Sequence, residues 1–235
     1  MRRLGLVGGV TWHSTATYYS RVNTGIAAAL GPFRSADLVL RSLDYGVVRD
    51  ARRDGSWRPL GDLVVRAARD LRAAGADGVA LCSNSLHALA HRVESEVGLP
   101  VLHIADALAD RALADGHTTL AFFGTGFTMT QPFVRDRLRS RGLEVLVPVE
   151  VSAIDRIILE ELAVGDVRDA SREAFRAALL PLVDAGATAV VLGCTELGML
   201  VGPADVPVPV LDTLALHADA AVAWMLSAPG RSEPT

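Results

Sequence analysis

Short apolar runs alternate along the chain with longer stretches in which apolar residues recur every three or four positions. The short runs, bounded by glycine or polar turns, predict buried strands at Leu4–Val7, Asp37–Arg41, Gly78–Leu81, Val101–Ile104, Thr119–Phe123, Glu144–Val147, Ala189–Leu192 and Val208–Leu211. The longer period predicts helices over Trp57–Ala74, Ser152–Ala163 and Asp169–Ala185. Strands that alternate with amphipathic helices read as βαβ units, whose crossovers make the sheets parallel. The predicted class is therefore α/β.

The pattern also repeats. "AGADGVALCSNS" in the first half matches "AGATAVVLGCTE" in the second, with one residue inserted at Gly193. About 70 residues before each copy stands an apolar run that ends in a glycine turn, "LGLVGG" and "LAFFGTG". After each comes a proline-led run that ends in an acid, "PVLHIAD" and "PVPVLD". The chain reads as two duplicated domains, residues 1–115 and 116–212, with the boundary near Asp115 to Thr118. A helix at Thr213–Leu226 is expected to pack back on the first domain, and the tail 227–235, "SAPGRSEPT", has the composition of a disordered end.

Composition narrows the function. Half of the 235 residues are hydrophobic, only 5% are aromatic, and the formal net charge is −4. That balance lacks the basic surplus that nucleic-acid or anionic-membrane binding requires, and basic clusters such as "RDARRDG" alternate with aspartate as solvated helix faces do. No apolar run approaches the length of a membrane span, and the opening "MRRLGLVGGV" lacks a cleavage pattern. Two cysteines in a chain of this length argue against a disulfide framework, so reduced thiols and a cytoplasmic location are expected.

Those cysteines are the candidate chemistry. Cys82 and Cys194 each follow a predicted strand end, where parallel sheets place their ligands, and a pseudo-twofold would bring them together across one cleft. The sequence turns polar after each: Ser83, Asn84 and Ser85 in one half, Thr195 and Glu196 in the other. A lone strand-end cysteine is most often a small buried hydrophobe. The matched pair and the polar residues behind it point instead to two thiols facing one cavity, one taking a proton from carbon while the other returns one from the opposite face. Such a reaction turns a substrate into its mirror image.

Here the motifs match a known family. "GLVGGVTWHSTATYY", "LCSNSLH", "FGTGFTMTQPFVRDRL", "IILEELAVG" and "GCTELGMLV" occur in order, and over nearly its whole length the chain resembles the aspartate/glutamate racemases, in particular the aspartate and broad-specificity amino-acid racemase branch. The resemblance implies two flavodoxin-like domains, a homodimer, an amino-acid substrate, no cofactor, and Cys82 and Cys194 as the acid/base pair. By the same carry-over, Asn84, Ser85, Thr125 and Thr195 with nearby amides hold the substrate carboxylate. Ser83 and Glu196 flank that group, and the turn through Val10 closes one side of the pocket.

The chain departs from the family pattern in three places. Val10 stands where Met is common after the double glycine, and Ser85 where Thr is common. Aspartate-specific members carry a basic residue after "EEL", where this chain has Ala163, Val164 and Gly165. Arg49 or Arg52 could replace it, and both also fit an exposed helix face. The substrate stays open between acidic and neutral amino acids. Three other chemistries stay open on the same fold: maleate isomerisation, arylmalonate decarboxylation and hydantoin racemisation. So does a non-catalytic amino-acid-binding protein.

Other motifs carry less. His87 and His91 in "HALAH" are four apart, but no CxxC, HExxH or third ligand accompanies them, so no metal is expected. "GLVGG" makes neither GxGxxG nor a phosphate loop, so a structural turn suffices. Tyr18 and Tyr19 are read as anchors of the first helix, and Trp12 fits either an anchor or the pocket lining.

Overall fold

A computed structural model describes residues 1–51 and 55–227. Arg52 and the tail from residue 228 lie outside the described residues. The eight predicted strands are present: β1 (Leu4–Gly8), β2 (Leu38–Ser42), β3 (Gly78–Leu81), β4 (Val101–Leu102), β5 (Thr119–Phe123), β6 (Glu144–Leu146), β7 (Ala189–Leu192) and β8 (Val210–Asp212). They form two four-stranded sheets with every pairing parallel, ordered β2-β1-β3-β4 and β6-β5-β7-β8. One order repeats the other, as the duplicated sequence predicts.

Each sheet belongs to its own compact unit. The inner strands β1, β3 and β7 are buried along their whole length, because helices cover both faces of a parallel sheet. The first unit packs Leu60, Val64, Ala68 and Leu71 of helix Arg58–Ala73 with Val7, Val79 and Leu81 of its sheet. In the second, Phe175 and Leu179 of helix Asp169–Asp184 share a core with Leu120, Phe123, Val190 and Val191. The rings of Phe123 and Phe175 lie 4.3 Å apart at their centroids.

Where the chain passes from one unit to the other differs from the expected boundary at 115. The first unit comprises 1–103 and 217 onward, the second 104–216. Strand β4 stops at Leu102, and helix Ile104–Ala114 places Ala105, Leu108, Ala109 and Ala112 in the core of the second unit. The matching helix after β8, Thr213–Leu226, passes into the first unit at His217. There Arg2 donates its amide to the Met225 carbonyl at 2.9 Å, and Arg21 pairs with Asp219. Each half thus ends with a helix that completes the other half's unit.

Two local expectations need correction. The helix predicted over Ser152–Ala163 begins at Val151 but is α-helical only to Arg156. It widens into a π turn at Ile157–Glu161, tightens to 3₁₀ at Leu162–Val164, and stops at Gly165, whose φ of 80° suits glycine. Tyr19 does not anchor its helix. Within Trp12–Leu30, Tyr18 is buried, whereas Tyr19 and Trp12 are exposed on the outer face. Adjacent helix positions point about 100° apart, so the pair cannot both face the sheet.

Candidate active site

In each sheet the strand order reverses beside the first strand. The second strand lies on one side of it and the third on the other, which makes the carboxyl ends of β1/β3 and of β5/β7 the switch points where open α/β sheets bind ligands. The sequence places a glycine turn and a cysteine at each.

At the first switch point, β1 ends in Gly8–Gly9, packed too closely for side chains. A Cβ on Gly8 would lie 2.3 Å from the Thr15 methyl; one on Gly9, whose φ is +94°, would lie 2.0 Å from the Leu43 carbonyl oxygen. The Gly9 amide donates to Thr15 Oγ1 at 2.8 Å, which ties the turn to the following helix. Val10, at the end of this turn, is half-buried. Cys82 follows β3 directly. Its amide donates to the Val7 carbonyl at 2.9 Å, and its own carbonyl accepts from Ser14 Oγ at 3.4 Å. The residue is buried, and burial alone pushes its thiol well above the ordinary range, so it rests protonated.

Beyond Cys82 the chain stays extended for Ser83 and then makes a 3₁₀ turn, Asn84–Leu89, before helix Ala90–Val97. Ser83 Oγ and Ser85 Oγ lie 3.3 Å apart, Asn84 is buried, and His87 Nδ1 lies 3.0 Å from the Ser83 carbonyl. Since a carbonyl only accepts, His87 carries its proton on Nδ1. His87 is buried and His91 exposed, so the two imidazoles do not share a face.

At the second switch point, β5 leads through Gly124 to Thr125, which caps the short helix Gly126–Thr130 by accepting from the Thr128 amide. Thr125 Oγ1 also lies 3.0 Å from Thr128 Oγ1, and the Gly126 amide donates to Asp155 at 2.6 Å. After β7, the Gly193 amide donates to the Phe123 carbonyl at 2.6 Å, the bond that Cys82 makes in the first unit. Gly193 therefore fills the ladder position that corresponds to Cys82, and Cys194 stands one residue further out, half-buried.

Cys194 has a partner of its own. Its Sγ donates to Glu196 Oε2 at 2.9 Å, and Thr195 Oγ1 donates to the same oxygen at 2.6 Å. Burial raises this thiol first, and the adjacent Glu196 carboxylate raises it further. Sequence reasoning placed Glu196 with the substrate-binding group; its reach to the sulfur became visible only once the turn after β7 was in place. Val10, Cys82, Ser83, Asn84 and Ser85 thus gather at one switch point and Thr125, Cys194, Thr195 and Glu196 at the other. Arg49 is exposed on helix Tyr45–Asp50, and Ala163, Val164 and Gly165 are also exposed.

Two repeated parallel α/β units, each with a cysteine at its switch point, define a two-domain α/β fold of the racemase type. The chain belongs to the Asp/Glu/hydantoin racemase family, whose model matches residues 7–221, and this makes it an isomerase. It is similar to a candidate Asp/Glu racemase from Yersinia pestis, at 39% identity over 97% of this chain and 100% of that one, with a TM-score of 0.92. An aspartate racemase homologue from Pyrococcus horikoshii OT3 is 30% identical over 96% and 99% of the two chains, with a TM-score of 0.82. The aspartate racemase of Picrophilus torridus, at 18% identity over 96% and 94% and a TM-score of 0.70, shares the fold.

Proposed function

We propose that the protein racemises an amino acid, aspartate or a broader set, without a cofactor, by proton transfer at the α-carbon between Cys82 and Cys194. The reading rests on one observation above all: the repeated units carry their only cysteines at equivalent switch points, and the half-buried one is hydrogen-bonded to a carboxylate. Both thiols rest protonated, and one must become a thiolate to act as base. Glu196 is the acceptor already in place for the Cys194 proton. A substrate ammonium near Glu196 would offset the negative charge that now opposes the thiolate, so substrate binding itself favours the reactive form. The second thiol then returns a proton to the opposite face, and the product is the other enantiomer. Because the reaction is reversible, the two cysteines exchange roles with the direction of turnover.

The test is proton NMR of L-amino acids incubated with the reduced protein in D2O and no added cofactor. Loss of an α-proton signal supports the reading and names the substrate. No exchange in any amino acid overturns it and moves testing to unsaturated diacids, malonates and hydantoins. Binding of an amino acid without exchange points to a non-catalytic binding protein.

A further inference from the structure

Three histidines meet inside the first unit, two of them outside every motif that carries the racemase reading. His217 on helix Thr213–Leu226 is fully buried, with Nε2 2.8 Å from the Leu102 carbonyl and Nδ1 2.8 Å from the Tyr18 hydroxyl. The carbonyl accepts, so Nε2 carries the proton and Nδ1 accepts from Tyr18. His87 packs edge-on against this ring at 5.2 Å and against His103 at 4.8 Å between centroids. His87 thus touches both other imidazoles, and its Nδ1 donates to the Ser83 carbonyl at 3.0 Å.

That carbonyl sits just beyond the sheet. The β3/β4 ladder ends at Ala80 and Leu102, and Ser83 lies between Cys82 and the 3₁₀ turn. Among the described residues His87 Nε2 is buried with no group in hydrogen-bond geometry; the Leu102 carbonyl, which also acts on the ring, is taken by His217 Nε2. A buried acceptor left bare carries a cost, and fixing the other nitrogen on Ser83 is what the arrangement gains.

We propose that His87 is a positioning residue. As a neutral imidazole held by His103 and His217, it fixes the Ser83 carbonyl and so sets where the Cys82 thiol and the Asn84–Ser85 turn lie. The helix that reaches the first unit from β8 thereby acts on the geometry of Cys82 without touching substrate. The functional half of this inference rests on the racemase reading.

The test compares His87→Asn with His87→Gln in the full-length reduced protein. Asparagine puts its amide donor where Nδ1 stands, whereas glutamine puts it where Nε2 stands. The Asn variant should keep kcat close to wild type. The Gln variant should lose kcat on the order of 10²-fold with a smaller change in KM, as expected when a reacting group is displaced by about 1 Å. Folded variants that behave alike overturn the proposal. So does an imidazole nitrogen NMR spectrum of the wild type with His87 protonated on Nε2 rather than Nδ1, a result that stands even if neither variant folds. The two readings fail separately. Wild-type protein that exchanges no α-proton sinks the racemase reading alone, because alkylation of Cys82 in a Cys194→Ala background still compares the variants. Equal Cys82 alkylation rates in wild type, Asn and Gln proteins would sink the positioning role.

Discussion

Cys82 rests as a thiol because burial disfavours its anion, and Cys194 because a carboxylate adds to that penalty. Replacing either by alanine removes one of the two proton carriers. Each single variant should lose about 10²- to 10⁴-fold in racemisation rate, measured by α-proton exchange coupled to enantiomer analysis. A variant that still racemises at the parental rate would rule out the two-thiol scheme. Glu196→Gln should act in two ways at once. Without the negative charge, the Cys194 thiol titrates at lower pH, seen as an earlier rise of thiolate absorbance in a Cys82→Ala background; without the proton acceptor, kcat falls. The cysteines and their polar followers were legible because chemistry-bearing residues stood out against apolar runs. The link from Glu196 back to Sγ was not, since two residues of separation say nothing about the direction of a turn.

At the level of elements, the inserted glycine explains why the two cysteines differ. Cys82 occupies the ladder position itself, while Gly193 takes that position in the second unit and leaves Cys194 one residue beyond. No side chain fits there, because a Cβ on Gly193 would meet the Phe122 ring at 2.4 Å and the Phe123 carbonyl oxygen at 2.8 Å. Gly193→Ala should cost about 1–3 kcal/mol or more by overpacking. Thermal unfolding would show it at about 2–4 °C per kcal/mol for a chain of this size, and unchanged stability would mean the turn relaxes freely. All eight strands were legible, since buried parallel strands are short apolar runs between turns. Helix Ile104–Ala114 was not assigned to its unit, because an amphipathic pattern reports that a face is buried but not which sheet buries it. The π turn at Ile157–Glu161 was hidden for a related reason: five widened residues barely disturb the periodicity.

Across the whole molecule, the buried imidazole of His87 links stability to pH. Burial first, then its neighbours His217 and His103, hold its pKa well below the ordinary value of about 6.5. Tyr18, another titratable group of the network, is hydrogen-bonded to His217. The unfolded chain then binds a proton near pH 6.5 that the folded chain refuses. Stability is full above that pH and falls as the pH drops below it. Denaturant titrations from pH 8 to pH 5 should show that fall, flattened in His87→Asn; a flat wild-type profile would contradict a neutral His87. His217 and His103 could not be grouped with His87 from sequence, because only the folded strand end and the returning helix bring them together.

The exchanged helices bear on how the protein is made. Residues 1–103 leave the ribosome early, but the helix that supplies His217, Ala218, Ala221 and Met225 to their core is translated roughly a hundred residues later. At about 5–20 residues per second, that is a wait on the order of 10 s. The first unit therefore lacks these buried residues while its successor is being synthesised, and its core is expected to be completed only after Met225 has emerged. Nascent chains stalled before Thr213 should leave the first unit open to protease, and release of the full chain should protect both.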